Sequence, residues 1–250
     1  MHSDPIKILD YGYVRFIEAW GRGEDKSNAD DFERGIVEAA RQSTQGNFRG
    51  WDKDARLLAH LYNNDPKHAT PFEFAGMVIE VQAPIMVFRE WHRHRTQGYN
   101  EMSARYAPLP PLDYLPELGV LLTRSDEALL SSNKQAQGMG RKLDAETATK
   151  WLEALQKYYD TGRLLYQAGL DIGVPKELAR LAVTVGGYSR MRAQTVLRNW
   201  LAFLTLRMDP KAQWEIRQFA NALYEIICQV FPHTAKLFTD EFTARQMRSK

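Results

Sequence analysis

Residues 93–105 read RHRTQGYNEMSAR, and the rest of the chain is best read outward from this run. Arg93, Arg95 and Arg105 put three guanidiniums within thirteen residues, with His94 between two of them. Asn100, Glu101 and Ser103 add directional polar groups. A solvated charged face mixes in lysine and alternates sign, whereas this run uses only arginine, with one acid. Arginine presents a planar fork matched to phosphate and carboxylate. The run therefore reads as an anion site, in the first place for a nucleotide phosphate.

The composition confines that reading. The chain has 250 residues and is 44% hydrophobic, enough for a sizeable core. Its formal net charge is +2, so the basic cluster is a local feature, which argues against general coating of nucleic acid. Cys228 is the only cysteine, which excludes an intrachain disulfide and a cysteine metal cluster and points to a reducing, cytoplasmic compartment. No metal site is expected. The first residues, MHSDPIKILDYG, lack an apolar signal core, and no stretch approaches the roughly 18 apolar residues of a membrane span.

Upstream, residues 6–20 are rich in β-branched and aromatic residues and predict a strand or hairpin. Asn28 or Asp30 is placed to cap a helix to about Ser43, with Phe32, Ile36, Val37 and Ala40 on one face. Asp52 is placed to cap another through Leu57, Leu58 and Leu61, followed by a polar loop at HATPF. Residues 77–82 alternate as a strand, and Pro84 suits the first turn of a helix over IMVFREWHRHR. Downstream, residues 107–118 are proline-rich and extended or looped, and 124–142 predict a mobile surface excursion. Helices are expected over 143–168, from Pro175 to Val183, over 194–207 and over 210–230, the last with an apolar stripe from Ile216 to Val230. No linker divides the chain. A single α/β domain over 1–250 with a helical C-terminal half is expected.

Three blocks then carry a family resemblance. WHRHRTQGYNEMSARY at 91–106 resembles the signature RHRxxSxNxxSxR of the flavin-dependent thymidylate synthases, the ThyX family, with Gly98 in place of the first Ser. HATPFEF at 68–74 is similar to that family's upstream block. ELAR at 177–180 and LRNWLAFLTLRMDPKAQWEIRQFA at 197–220 are similar to its C-terminal helices. The resemblance implies an α+β fold, a central mostly antiparallel sheet flanked by helices, assembled as a homotetramer with active sites shared between subunits. It implies reductive methylation of dUMP to dTMP, with methylenetetrahydrofolate as carbon donor, FAD as cofactor and NADPH as the source of electrons.

The resemblance also implies roles. Nucleotide contacts fall to Glu90, Trp91, His92 and Arg93, to Glu101, Met102, Ser103, Ala104 and Arg105, and to Arg180 and Arg207. Flavin contacts fall to His68, Thr70, Arg93, His94, Arg95, Glu101, Val196, Arg198 and Ala202. Arg207 faces the pyrimidine and is the catalytic candidate. The residues agree on one mechanistic point. Cys228, beside Ile226 and Ile227, reads as a small buried hydrophobe, so ring activation falls to an arginine that stabilises negative charge.

Five further positions depart from the family pattern. Glu90 stands where Gln is common, Val196 and Ala202 where Asn is common at the flavin, Thr184 where Pro is, and Phe74 replaces the second His of the upstream block. These changes open an alternative within the class, methylation or hydroxymethylation of another uridine nucleotide such as UMP. A reading from another class is a single-stranded nucleic-acid binder whose bases stack on Trp91, Tyr99 and Tyr106.

Overall fold

The computed structural model describes residues 4–24, 31–130 and 141–248. It begins with a hairpin, β1 (Ile6–Ile8) and β2 (Gly12–Trp20), followed by helices α1 (Arg34–Arg41) and α2 (Trp51–Asn63). Then come β3 (Gly76–Pro84), α3 (Ile85–Trp91) and β4 (Gly98–Glu101). Helices α4 (Leu118–Leu130), α5 (Ala145–Asp171) and α6 (Lys176–Ala179) precede β5 (Tyr188–Val196). Helices α7 (Leu197–Arg207), α8 (Trp214–Val230) and α9 (Pro232–Arg248) follow. The strands form one antiparallel sheet in the order β1-β2-β3-β5-β4. The expected mostly antiparallel sheet flanked by helices is what the chain builds.

Strand β3 holds the centre because its alternation is strict on one face. Met77, Ile79, Val81 and Ala83 are fully buried and pair across to Thr195, Ala193, Met191 and Ser189 of β5. Against that face pack α7 and α8, through Trp200, Phe203, Leu204, Phe219 and Leu223. Each such side chain contributes roughly 1.5–3 kcal/mol by leaving water. The other face is polar: Glu80 accepts from Tyr13 Oη at 2.9 Å and pairs with Arg15 at 2.8 Å.

Several boundaries moved. The candidate caps Asn28 and Asp30 lie outside the described residues; the first turn of α1 is instead held by Asp31, whose Oδ1 accepts from the N–H of Glu33 and Arg34 at 3.2 Å each. Asp52 lies within the first turn of α2, and Gly50, at φ +95°, caps it. HATPF is not an open loop, since Thr70–Phe74 forms a 3-10 helix. Residues 124–130, expected in a mobile excursion, continue α4, and 131–140 lie outside the described residues. Arg124 explains why: it pairs with the buried Glu215 of α8 and lies over Trp214. Strands β4 and β5 and helix α9 went unexpected. Glu33 anchors α9: its carboxylate accepts from the N–H of His233 at 2.9 Å and of Thr234 at 2.6 Å, two otherwise orphan donors of the first turn.

Candidate active site

The arginine-rich run leaves the end of α3, turns once and enters β4. Tyr99 on β4 fixes that turn by giving its hydroxyl to the carbonyl of His94 at 2.7 Å. Trp91 is fully buried against Phe203, and its indole N–H goes to Gln97 at 3.0 Å. The Trp91 side chain, expected near the nucleotide, is therefore spent in the core. Only Tyr106, 82% exposed, of the three aromatics in the nucleic-acid reading is free to stack on a base. His92 packs between Phe88 and Tyr99. Arg93 and Arg95 are exposed, and no carboxylate stands within ion-pair distance of either among the described residues.

Arg207, the last residue of α7, reaches this turn. Its Nε–H donates to Nε2 of His94 at 2.8 Å, Nη1 to Oε2 of Glu90 at 2.8 Å, and Nη2 to the carbonyl of Glu90 at 3.0 Å. Burial, and then the charge of Arg207, hold the His94 imidazole down to about 4, with Glu90 opposing. His94 is thus neutral at physiological pH, with Nε2 as acceptor and the proton on Nδ1. Sequence reasoning foresaw neither the Glu90 bridge nor the His94 contact, because the partners are more than one hundred residues apart.

The nucleotide-loop candidates form a second group. Glu101 ends β4 and accepts from Ser189 Oγ of β5 at 2.7 Å. Met102 donates its N–H to the carbonyl of Arg190, and Ser103 closes a turn by accepting from Arg105 N–H at 3.3 Å. Ala104 is buried beneath it. Arg105 pairs with Glu177 of α6 at 3.3 Å, and Arg180 follows in the same ELAR block. No hydrogen bond or ion pair joins this group to Arg207 among the described residues.

Three of the flavin candidates, Val196, Arg198 and Ala202, line two grooves. One, of about 540 Å³, runs along Val196, Arg198, Asn199, Gln194, Gly98 and Glu73. The other, about 500 Å³ and largely apolar, runs along Ala202, Leu201, Leu206, Phe72, Lys67 and Arg245, with Arg198 again in its wall. Arg198 pairs with Glu73. His68 precedes, and Thr70 opens, the 3-10 turn that supplies Phe72 and Glu73, and Asn64 holds the His68 ring at 2.9 Å. The departures have local explanations. Asn199 lies one turn from both Val196 and Ala202 on α7, and donates its amide to the Thr96 carbonyl at 3.2 Å. Thr184 closes the turn before β5, accepting from Gly186 N–H at 3.2 Å. Nothing in the structure explains Phe74, which is 58% exposed.

A family model described as "Thymidylate synthase complementing protein" matches residues 26–233. The chain belongs to this family. Relatives called flavin-dependent thymidylate synthase include one of Ehrlichia ruminantium, 34% identical over 98% of this chain and 76% of its own. Another, of Thermus thermophilus, is 36% identical over 91% of this chain and 75% of its own. Among solved structures, the UMP/dUMP methylase PolB of Streptomyces cacaoi, bound with 5-Br dUMP, is similar with a TM-score of 0.75. It is 26% identical, over 94% of this chain and 97% of that one. Membership in the flavin-dependent thymidylate synthase family makes the chain an enzyme, and makes FAD the group its grooves must fit. They fit by donor chemistry: an apolar groove suits a flat ring system, and Arg198, paired with Glu73, and Lys67 and Arg245, which share Glu241, keep N–H donors that suit a pyrophosphate.

Proposed function

We propose that the chain methylates dUMP to dTMP, taking the carbon from methylenetetrahydrofolate. The observation that carries this is the Arg207 guanidinium, held beside a neutral His94 where the signature run turns. A cation fixed there stabilises negative charge on the pyrimidine as the ring is activated, with no cysteine required. Cys228 takes no part in that step and packs half-buried on α8 against the core. Arg105 and Ser103, with backbone N–H groups of their turn, hold the phosphate. His68, Thr70, Arg93, Arg95 and Arg198 hold FAD, which supplies the reducing hydride once loaded by NADPH.

The chain works as a single domain in a homotetramer whose sites draw on more than one subunit. Two observations support this. The Arg105/Arg180 group lies unconnected to Arg207 within one chain, and a row of large apolar side chains stands exposed on α5 and beyond. Leu164, Leu165, Ile172, Leu178 and Leu181 belong to it, and a patch of this kind marks a protein interface.

Glu90 favours a second reading, methylation of UMP, because an acid near the sugar can accept from a 2′-hydroxyl. The PolB likeness points the same way. The deciding experiment incubates the protein with FAD, NADPH, methylenetetrahydrofolate and either dUMP or UMP, and weighs the products. A mass gain of one methyl group on dUMP alone supports the first reading, on UMP the second. No methylated product from either would refute both.

A further inference from the structure

We propose that Glu90 is a positioning residue for Arg207, fixing the guanidinium so that its remaining N–H groups meet the pyrimidine. The inference rests on Arg207 facing the ring. An arginine carries five N–H donors in one rigid plane. Within this chain three are committed: one to His94 Nε2, one to Glu90 Oε2 and one to the Glu90 carbonyl. One donor is left on each terminal nitrogen, and the plane cannot rotate without breaking all three bonds.

Glu90 is suited to this because it offers two acceptors of different rigidity. Its carbonyl belongs to the last turn of α3, where it also accepts from the N–H of Arg93 at 3.3 Å. That oxygen is fixed by the helix, and the side-chain oxygen then closes a fork around the same guanidinium. A free arginine side chain would lose rotamer freedom when the ring arrives; here that loss is taken on folding. The Arg207 side chain is only 15% exposed and that of Glu90 is 42% exposed, so truncating Glu90 leaves no core cavity.

A purely electrostatic role predicts something different. The carboxylate then damps the Arg207 field, and neutralising it changes the reaction whether or not the hydrogen bond survives. Glu90→Gln keeps an acceptor oxygen and removes the charge; Glu90→Ala removes both. Thermal melting and flavin absorbance establish that each variant folds and holds FAD. Calorimetry with dUMP and single-turnover methylation then separate binding from chemistry, and a crystal structure of Glu90→Ala shows the guanidinium directly.

The expected result is that Glu90→Ala methylates at least about tenfold more slowly than wild type and loses less in dUMP affinity than in rate. In its crystal structure Arg207 has swung away from His94. Glu90→Gln, which keeps the acceptor, methylates at least about threefold faster than Glu90→Ala. Wild-type rates in Glu90→Ala, or a Glu90→Gln enzyme as slow as Glu90→Ala, would overturn the proposal. An unmoved guanidinium in the Glu90→Ala crystal would do so independently of any activity. Absence of product from the wild-type enzyme with both dUMP and UMP would instead defeat the proposed function, and the crystal structure would still decide whether Glu90 holds Arg207.

Discussion

Ser189 gives its hydroxyl to Oε1 of Glu101 at 2.7 Å, from β5 to the edge strand β4. Ser189 is buried, so the bond is shielded from water and sets which way Glu101 turns its second oxygen. Ser189→Ala should weaken nucleotide or flavin binding by about two- to tenfold, the worth of one such bond, with melting temperature nearly unchanged. Titration of both ligands checks it. Wild-type affinity for both would mean that Glu101 needs no such support.

The proposed roles place Arg105 and Arg207 at different stages. In the proposed site Arg105 holds phosphate in ground state and transition state alike, so Arg105→Ala should raise the dUMP dissociation constant by about tenfold or more. Arg207→Ala removes charge stabilisation that grows along the reaction, so methylation should fall further than binding. NADPH oxidation by the bound flavin survives in Arg207→Ala, since that half-reaction needs no ring attack. An Arg207→Ala enzyme forming product at the wild-type single-turnover rate would remove Arg207 from the site.

The depressed pKa of His94 makes a prediction about acid. The folded chain favours the neutral imidazole, holding the group at about 4 against an ordinary 6.5. The stability this contributes is whole above pH 6.5 and is lost as pH falls from there toward 4. The melting temperature of wild type should therefore drop relative to His94→Gln across that window. Parallel curves for the two proteins would show that the imidazole is not held neutral.

Glu33 holds the first turn of α9 through two N–H groups, those of His233 and Thr234. Glu33→Ala should cost about 1–3 kcal/mol, because it strands buried donors. At this chain length that lowers the melting temperature by about 2–4 °C per kcal/mol. Increased protease cleavage within α9 should accompany it. A variant as stable as wild type would mean that water replaces the carboxylate without loss.

Cys228→Ala should keep turnover per folded molecule and cost about 1 kcal/mol of packing. The measurement is specific activity normalised to bound flavin. Loss of turnover with fold and flavin intact would contradict ring activation without cysteine.

The parts of the fold that sequence made legible are those whose apolar period is strong. β3 alternates Met77, Ile79 and Val81, and α8 repeats Ile216, Phe219, Leu223 and Ile226. β5 was missed because its buried positions hold Ser189, Met191, Ala193 and Thr195, while Arg190, Arg192 and Gln194 face outward. Most of these residues have little strand preference, and the alternation is weak in hydrophobicity. β4 is four residues of Gly, Tyr, Asn and Glu, which read locally as loop. In the site, the arginine run was legible from residue type alone. The Glu90 and Ser189 contacts join residues about ninety or more positions apart, which no local pattern encodes.

Strand β5 lies between β3 and β4, and β4 has no other neighbour in the sheet. A ribosome delivers the arginine run long before it delivers Tyr188–Val196. Until then β4 has no strand to lie against, Glu101 has no hydroxyl to turn toward, and α7 with Arg207 is still to come. The turn proposed to bind the nucleotide is therefore among the last features of the nascent chain to take shape. A messenger cut short before codon 188 would yield a product with the signature intact and the site unbuilt.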